Sequence, residues 1–397
     1  MSLNETVSAE RVHIGFFGMR NAGKSSLVNA VTGVNVSVVS DVKGTTTDPV
    51  KKAMELLPLG PVLIIDTPGI DDEGTLGGMR VERTRRTLAE TDIAVLVIDA
   101  TEGVTSDIKS LEGEIKKRGI PYLKVYNKSD LLEVSEKKTD DVIYASAKTG
   151  DGIAEIKAAL GKFAESAKKV RPIVSDIISH GDTVILVTPI DEAAPKGRII
   201  LPQQLVLRDV LDCHARAIVC QPEELSETIS MLKDPPRLVI TDSQVFGIVA
   251  KDLPKDIPLT SFSIIMARYK GELSALTEGF KALSEVKTGD KVLISEGCTH
   301  HRQCGDIGSV KLPAWIKEYT HSEPEFHFTS GRDFPENLSE YKIIVHCGGC
   351  MLNEAEMKHR LTVAKEAGVP TVNYGIAIAG MKGILERSIR PFSEAIQ

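Results

Sequence analysis

Short apolar runs and amphipathic, helix-period stretches alternate along almost the whole chain. VHIGFF (12–17) has the length and composition of a buried strand, and SLVNAVTG behind it carries helical spacing. VLIID (62–66), YLKVY (122–126) and VIYA (142–145) repeat the strand signature. After a charged stretch from Glu165 to Pro172, the segments TVILVTP, QQLVLRDVLDCH, RAIVCQ, ELSETISML, RLVITD and VFGIVAKDL take up the same alternation. Pro254 and Pro258 punctuate a second break. Beyond it a helix over Tyr269–Val286 leads to the strand KVLIS, a helix around Trp315 and the strands EFHFT and IIVH. The helix NEAEMKHRLTVAKEAG, the strand PTVNYG and a final amphipathic helix complete the pattern. Continuous apolar strands separated by amphipathic helices mark parallel sheets covered on both faces. The expectation is an α/β protein of three domains, 1–170, 171–262 and 263–397, the latter two with mainly parallel sheets.

Composition narrows the class without changing that picture. The 397 residues are 42% hydrophobic and 26% charged, ordinary for a globular protein with several cores. A formal net charge of −7 and the lack of Lys/Arg-rich stretches argue against a nucleic-acid partner. No apolar stretch is long enough to cross a membrane, since Gly375–Leu385 is interrupted by Lys382. The N-terminal MSLNETVSAERVH lacks the basic-then-apolar layout of a secretory signal, so a cytoplasmic protein is expected. Disulfides are rare in that compartment. Of the six cysteines, Cys213 and Cys220 sit in apolar periodic segments and read as buried small hydrophobes. The other four, Cys298, Cys304, Cys347 and Cys350, crowd into the last quarter.

The first apolar run ends in Gly18-Met-Arg-Asn21-Ala22-Gly23-Lys24-Ser25-Ser26, a phosphate-binding loop followed by a helix. Glycines there free backbone N–H groups to wrap phosphates, Lys24 reaches the β/γ-phosphates and Ser25 offers its hydroxyl to Mg²⁺. Asp66, at the end of VLIID, is placed to hold Mg²⁺ through water, and Gly69 to sense the γ-phosphate through its N–H. Asn127-Lys128-Ser129-Asp130 follows YLKVY, and the carboxylate of Asp130 can accept both N–H donors of a guanine edge. Ser146-Ala147-Lys148 is positioned to close over the base. Between these pieces lies Gly44-Thr45-Thr46-Thr47-Asp48, from which Thr46 is the expected switch ligand to the metal. Bound GTP or GDP with Mg²⁺ is therefore expected.

The order and spacing of these motifs over residues 10–165 resemble the GTPases of the TrmE–Era group. That resemblance implies a potassium ion beside the phosphates, held by Asn21, which substitutes for an arginine finger. Ile70 stands where Ras-like enzymes carry the water-orienting glutamine. Asp71, Asp72 and Glu73 follow without a clear replacement, so slow hydrolysis is expected. Arg80, Arg83, Arg85 and Arg86 read as the solvated face of a helix. In the middle third no cluster carries chemistry; Asp212 and His214 read as a helix-end pair. A small sheet has edges that need covering, and self-association through one of them is the expectation.

Two strand-like runs of the last third end in metal-binding side chains: KVLISEGCTH delivers Cys298 and His300, and IIVHCGGC delivers His346, Cys347 and Cys350. Ligands in open α/β sheets sit beyond the carboxyl ends of the strands, so Cys298, His346 and Tyr374 should share one rim. Thiolates and imidazoles together make a soft site. Cys347-Gly-Gly-Cys350 by itself suits a redox pair, zinc or an iron–sulfur cluster, and residue chemistry leaves zinc and iron–sulfur open.

The combination of a TrmE-like GTPase, an α/β middle and a C-terminal CxH…HCxxC resembles the FeFe-hydrogenase maturation GTPases over essentially the whole chain. That resemblance implies that Cys298, Cys347 and Cys350 hold a 4Fe-4S cluster, with His300 and His346 as weak or alternative ligands. It implies a scaffold that takes a diiron precursor from radical-SAM maturases and passes it to the hydrogenase apoprotein, as a homodimer joined through the middle domain. Cys304 falls outside the motif and reads as a buried thiol; His321, His327 and His359 read as ordinary histidines. The competing reading is a GTPase of RNA modification or ribosome assembly with a structural zinc site.

Overall fold

The computed structural model describes residues 8–34, 49–69, 75–132, 142–167, 171–190, 199–298, 306–335 and 337–393. The chain divides into two compact units, Met1–Val170 and Arg171–Gln397.

In the first unit the elements run β1 (Val12–Gly18), α1 (Lys24–Thr32), β2 (Val50–Leu56), β3 (Gly60–Asp66), α2 (Thr75–Ala89), β4 (Ile93–Asp99), α3 (Ser106–Lys117), β5 (Tyr122–Asn127), β6 (Val142–Tyr144) and α4 (Ile153–Ala167). They form one six-stranded sheet in the order β2-β3-β1-β4-β5-β6. Only β2 is antiparallel, and its largely exposed side chains explain why it carries no apolar signal in the sequence. Alternation along the central strands fills both faces. Phe16, Val95 and Val97 pack with α1 and α4, whereas Phe17, Ala94, Leu96 and Ile98 pack with α3.

In the second unit β7 (Thr183–Val187), α5 (Leu201–Asp212), β8 (Arg216–Cys220), α6 (Leu225–Ser230), β9 (Leu238–Thr241), α7 (Phe246–Asp252) and β10 (Leu259–Ser261) make a parallel four-stranded sheet ordered β10-β9-β7-β8. Two helices follow, α8 (Phe262–Lys270) and α9 (Leu273–Leu283). Then β11 (Lys291–Ser295), α10 (Leu312–Thr320), β12 (Glu325–Thr329), β13 (Ile343–His346), α11 (Glu354–Glu366) and β14 (Thr371–Asn373) make a second parallel sheet ordered β12-β11-β13-β14. Helices α12 (Tyr374–Met381) and α13 (Leu385–Ser393) close the chain.

One hydrophobic cluster runs through this whole unit, from Val184 and Leu186 through Ile264, Ile265 and Ile376 to Val292 and Ile294. A smaller one, with Leu293, Leu338 and Ile344, covers the other face of the second sheet. The helix expected from Tyr269 to Val286 is two helices. The first starts at Phe262, immediately after β10, where the Ser261 hydroxyl accepts from the Ile264 N–H and caps it. Gly271 then breaks the run, its Cα pressed so close to Ala267 that a Cβ would lie 2.9 Å from that carbonyl oxygen. A three-residue strand merging into a helix leaves no period for the sequence to show.

Candidate functional site

At the C-terminal end of β1 the chain turns into α1 through Asn21 (φ 61°) and Gly23 (φ 81°), both left-handed. Gly23 is obligatory for a second reason: a Cβ would sit 2.2 Å from the Asn127 amide nitrogen. The turn leaves the first N–H groups of α1 pointing into the loop, a ready site for an anion. Lys24 is buried, and its Nζ donates to the carbonyls of Gly18 (3.1 Å) and Met19 (2.8 Å), so it lies across the loop it follows.

Ser25 Oγ donates to Asp66 Oδ2 at 2.6 Å. The other carboxylate oxygen of buried Asp66 has no hydrogen-bond partner among the described residues. A hydroxyl and a half-satisfied carboxylate form the hard oxygen set that Mg²⁺ prefers, so these residues fit the ion. Gly69 approaches the same loop; a Cβ on it would meet the Arg20 Cα at 2.5 Å. Thr46, Ile70, Asp71, Asp72 and Glu73 lie outside the described residues.

Asn127, at the end of β5, is buried and ties the site together. Its amide nitrogen donates to the Ala22 carbonyl (2.9 Å), and its Oδ1 accepts from the Ala147 N–H (3.1 Å). One side chain thereby links the phosphate loop to the loop after β6. Ser146 is fully buried and donates to Asp130 Oδ1 (2.7 Å), holding that exposed carboxylate in place. Lys128 reaches back to Asp99 at 2.5 Å. Burial pushes the Asp99 carboxyl up, but donation from Lys128 and Thr101 outweighs it and leaves it below the usual range. Sequence reading missed Asp99, although its place at the end of β4, level with Asn127, was the available signal.

In the second unit the register puts the strand tips side by side: Ser295 pairs with His346 and Thr329, and His346 with Asn373. The next residues therefore emerge together. Gly297 N–H donates to Cys347 Sγ at 3.0 Å, and Gly349 N–H reaches the same sulfur at 3.3 Å. Both glycines are forced by contact: a Cβ on Gly297 would strike Leu352, and one on Gly349 (φ 61°) would strike the Met357 sulfur. Tyr374, at the adjoining tip, turns its hydroxyl to the buried Glu296 (3.4 Å). Burial, followed by the negative charge of Glu296, Cys347, Asp306 and Cys298, raises that phenol well above its ordinary value. These groups share one neighbourhood.

Burial pushes the Cys347 thiol up to about 11, against the pull of the two N–H groups and reinforced by Cys350. A thiolate there at neutral pH calls for a cation, and the sulfur already receives the N–H donors that a metal-bound thiolate takes. The donor set suits a thiophilic metal. Cys298 and Cys350 are half-buried. Among the described residues no three His, Cys, Asp or Glu side chains lie close enough to hold one metal ion. His300 and Cys304 lie outside the described residues.

His346 corrects the expectation of a weak or alternative ligand. It is buried, its Nδ1 donates to the Cys347 carbonyl (2.8 Å), and its Nε2 accepts from Arg360 Nη1 (3.2 Å). A carbonyl can only accept and a guanidinium only donate, so the ring is neutral and neither nitrogen is open to a metal. Burial, followed by the Arg360 charge, pushes its pKa down to about 3.

Arg360, on α11, is the residue that sequence reading missed. It donates to Glu356 Oε1 (2.9 Å), to Ser295 Oγ (3.4 Å) and to the Gly331 carbonyl (2.7 Å), and it stacks on Phe334 at 4.9 Å. It bolts the tips of β11 and β13 and the turn after β12 to α11. Arg360→Leu strands the buried Glu356 carboxylate. The expected loss is about 3 kcal/mol, at the lower end for a broken buried pair because Arg332 still acts on Glu356. Urea denaturation of the cluster-free protein measures it.

The chain matches three family models. The model described as 50S ribosome-binding GTPase covers residues 13–128. Those described as Hydrogen maturase F dimerization domain and tetramerization domain cover residues 173–271 and 274–391. GTPase Der of Kosmotoga olearia is 30% identical over 252 residues, 57% of this chain and 56% of that protein. The tRNA modification GTPase MnmE of Chromobacterium violaceum is 34% identical over 156 residues, 38% of this chain and 34% of that protein. The chain thus spans roughly a third to a half of the length of these curated relatives. The solved structure of Aquifex aeolicus Era is 21% identical, with a TM-score of 0.36 over 52% of this chain and 91% of that one.

Proposed function

The chain belongs to the hydrogen maturase F family, whose two domain models follow one another over more than half of it, and from that premise we propose a GTP-driven scaffold that assembles or delivers an iron cluster. The N-terminal unit is a GTPase domain. Its part in the proposal is to hydrolyse GTP to GDP and phosphate on Mg²⁺ held by Ser25, Asp66 and Thr46. Lys24 carries the β/γ-phosphates, and Asp130 selects guanine. Hydrolysis supplies no electrons, so its contribution is conformational. Asn21, in the left-handed turn of the loop, is the proposed potassium ligand. Exchanging sodium for potassium then raises the hydrolysis rate; equal rates in the two salts rule the assignment out.

In the second unit Cys298, Cys347 and Cys350 are proposed to hold a 4Fe-4S cluster, which when bound supplies an iron short of one cysteine where a diiron precursor can dock. Glu296 and Tyr374 line that neighbourhood, and Gly297 and Gly349 hold the Cys347 sulfur. The precursor comes from the radical-SAM maturases and goes to the hydrogenase apoprotein, with dimers formed through the middle sheet. The observation that carries the reading is the Cys347 sulfur, fixed by two N–H donors at adjoining strand tips, in a chain of this family. The zinc-bearing RNA GTPase alternative has only the GTPase domain in its favour. Among the described residues no helix is long and apolar enough to cross a membrane.

Anaerobic reconstitution with iron and sulfide tests the proposal. The expected product is brown, with about four irons per chain by metal analysis and an EPR signal after reduction. A colourless protein holding one zinc per chain overturns it.

A further inference from the structure

Helix α8 passes beneath the Cys347–Cys350 turn, and its last residue is a buried lysine. Lys270 is 2% exposed, and its Nζ donates to the carbonyls of Cys350 (3.1 Å) and Leu352 (2.7 Å). The same helix touches the turn and the neighbouring tip at two further points. A Cβ on Gly348 would lie 3.5 Å from Met266. Ser263 Oγ donates to Asn373 Oδ1 (3.0 Å) and accepts from the Gly375 N–H (3.2 Å). On its other side α8 is tied to the start of the unit, where Arg268 pairs with Asp176 and donates to the Ile173 carbonyl.

An ammonium leaves water at a cost that hydrogen bonds only partly return, and a methionine would fill the same space without it. The two carbonyls that Lys270 holds belong to the turn that carries Cys350. We infer that Lys270 is a positioning residue that clamps the Cys350 end of the turn and sets a fixed positive charge beside the thiolates. This rests on the cluster reading above and extends it to a residue from the dimerization-domain match. Positive charge near a cluster favours its reduced, more negative state, because net charge and hydrogen bonding set the potential.

The test has two arms on the full-length protein, and only one needs iron. In cluster-free protein, Lys270→Met speeds backbone amide hydrogen exchange across residues 347–353 roughly tenfold or more, read by peptide mass spectrometry, because two charge-assisted hydrogen bonds to that turn are lost. In reconstituted protein, Lys270→Met weakens cluster retention about 10- to 100-fold, the range for lost outer contacts to metal ligands, and moves the EPR-monitored midpoint to more negative potential. Should Lys270→Met fail to fold by circular dichroism, Lys270→Gln replaces it, and the midpoint still moves negative because the charge is gone. An unchanged exchange rate across the turn overturns the clamp. A loaded Lys270→Gln or Lys270→Met protein at the wild-type midpoint overturns the charge effect. A wild type that takes up no cluster sinks the proposed function instead, and the exchange rates still decide the clamp.

Discussion

Lys24→Ala lowers GTP turnover by at least ~10²–10³-fold while iron and sulfide content after reconstitution stays at the wild-type level. The reason is local. Lys24 is the buried cation of the phosphate loop, and no other side chain described there can place an ammonium among the Gly18 and Met19 carbonyls. Without it the negative charge that builds on the transferring phosphoryl group loses its nearest fixed partner. Phosphate release at saturating GTP reads the loss. Iron analysis on the same preparation reads the second half of the prediction, and a cluster-free Lys24→Ala protein would contradict separate chemistry in the two units.

The reverse experiment has an equally large effect. Cys347→Ala abolishes cluster binding, and turnover of GTP stays within about twofold, the size left for indirect effects on a domain whose site is intact. Cys347 is the most informative of the three cysteines because its sulfur is the acceptor of the Gly297 and Gly349 N–H groups. Alanine leaves both donors without a partner, a stability cost of about 1–3 kcal/mol that a denaturation curve separates from ligand loss. Cys347→Ser is the control, since a hydroxyl oxygen keeps an acceptor there but binds iron poorly. Visible absorbance and reduced-state EPR measure the cluster. An intact spectrum in Cys347→Ala would remove Cys347 from the ligand set and the proposal with it.

Much of both sites is legible in the spacing of the residues themselves. The phosphate loop, Asp66-Thr-Pro-Gly69 and Asn127-Lys128-Ser129-Asp130 are contiguous stretches at strand ends, and their chemistry depends mainly on local backbone shape. The cysteine rim is legible for a related reason. Parallel strands all run one way, so apolar runs ending in Cys298 and Cys347 deliver them to one edge. The period that reveals a strand also reveals where it stops.

What escapes the sequence are contacts whose partners are distant along the chain. Asn127 looks like a base contact, yet its amide is spent on Ala22, 105 residues away, and on Ala147. His346 looks like a ligand because it precedes Cys347, but an arginine on α11 takes the nitrogen that a metal would need. Arg360 and Lys270 look like solvated helix charges, and both are almost wholly buried. Charged residues at such positions are usually exposed, so no local pattern marks the exceptions.

Sequence alone therefore determined the elements, the parallel sheets, the phosphate loop and the two strand tips that bear cysteines, because each is written in the spacing of neighbouring residues. Only the tertiary structure decided which side chains hold those tips in register and which lone pairs remain for a ligand. Hydrogen bonds in a dry interior are directional and costly to leave unmade, so a single packed neighbour, Arg360 against His346, settles what a motif leaves open.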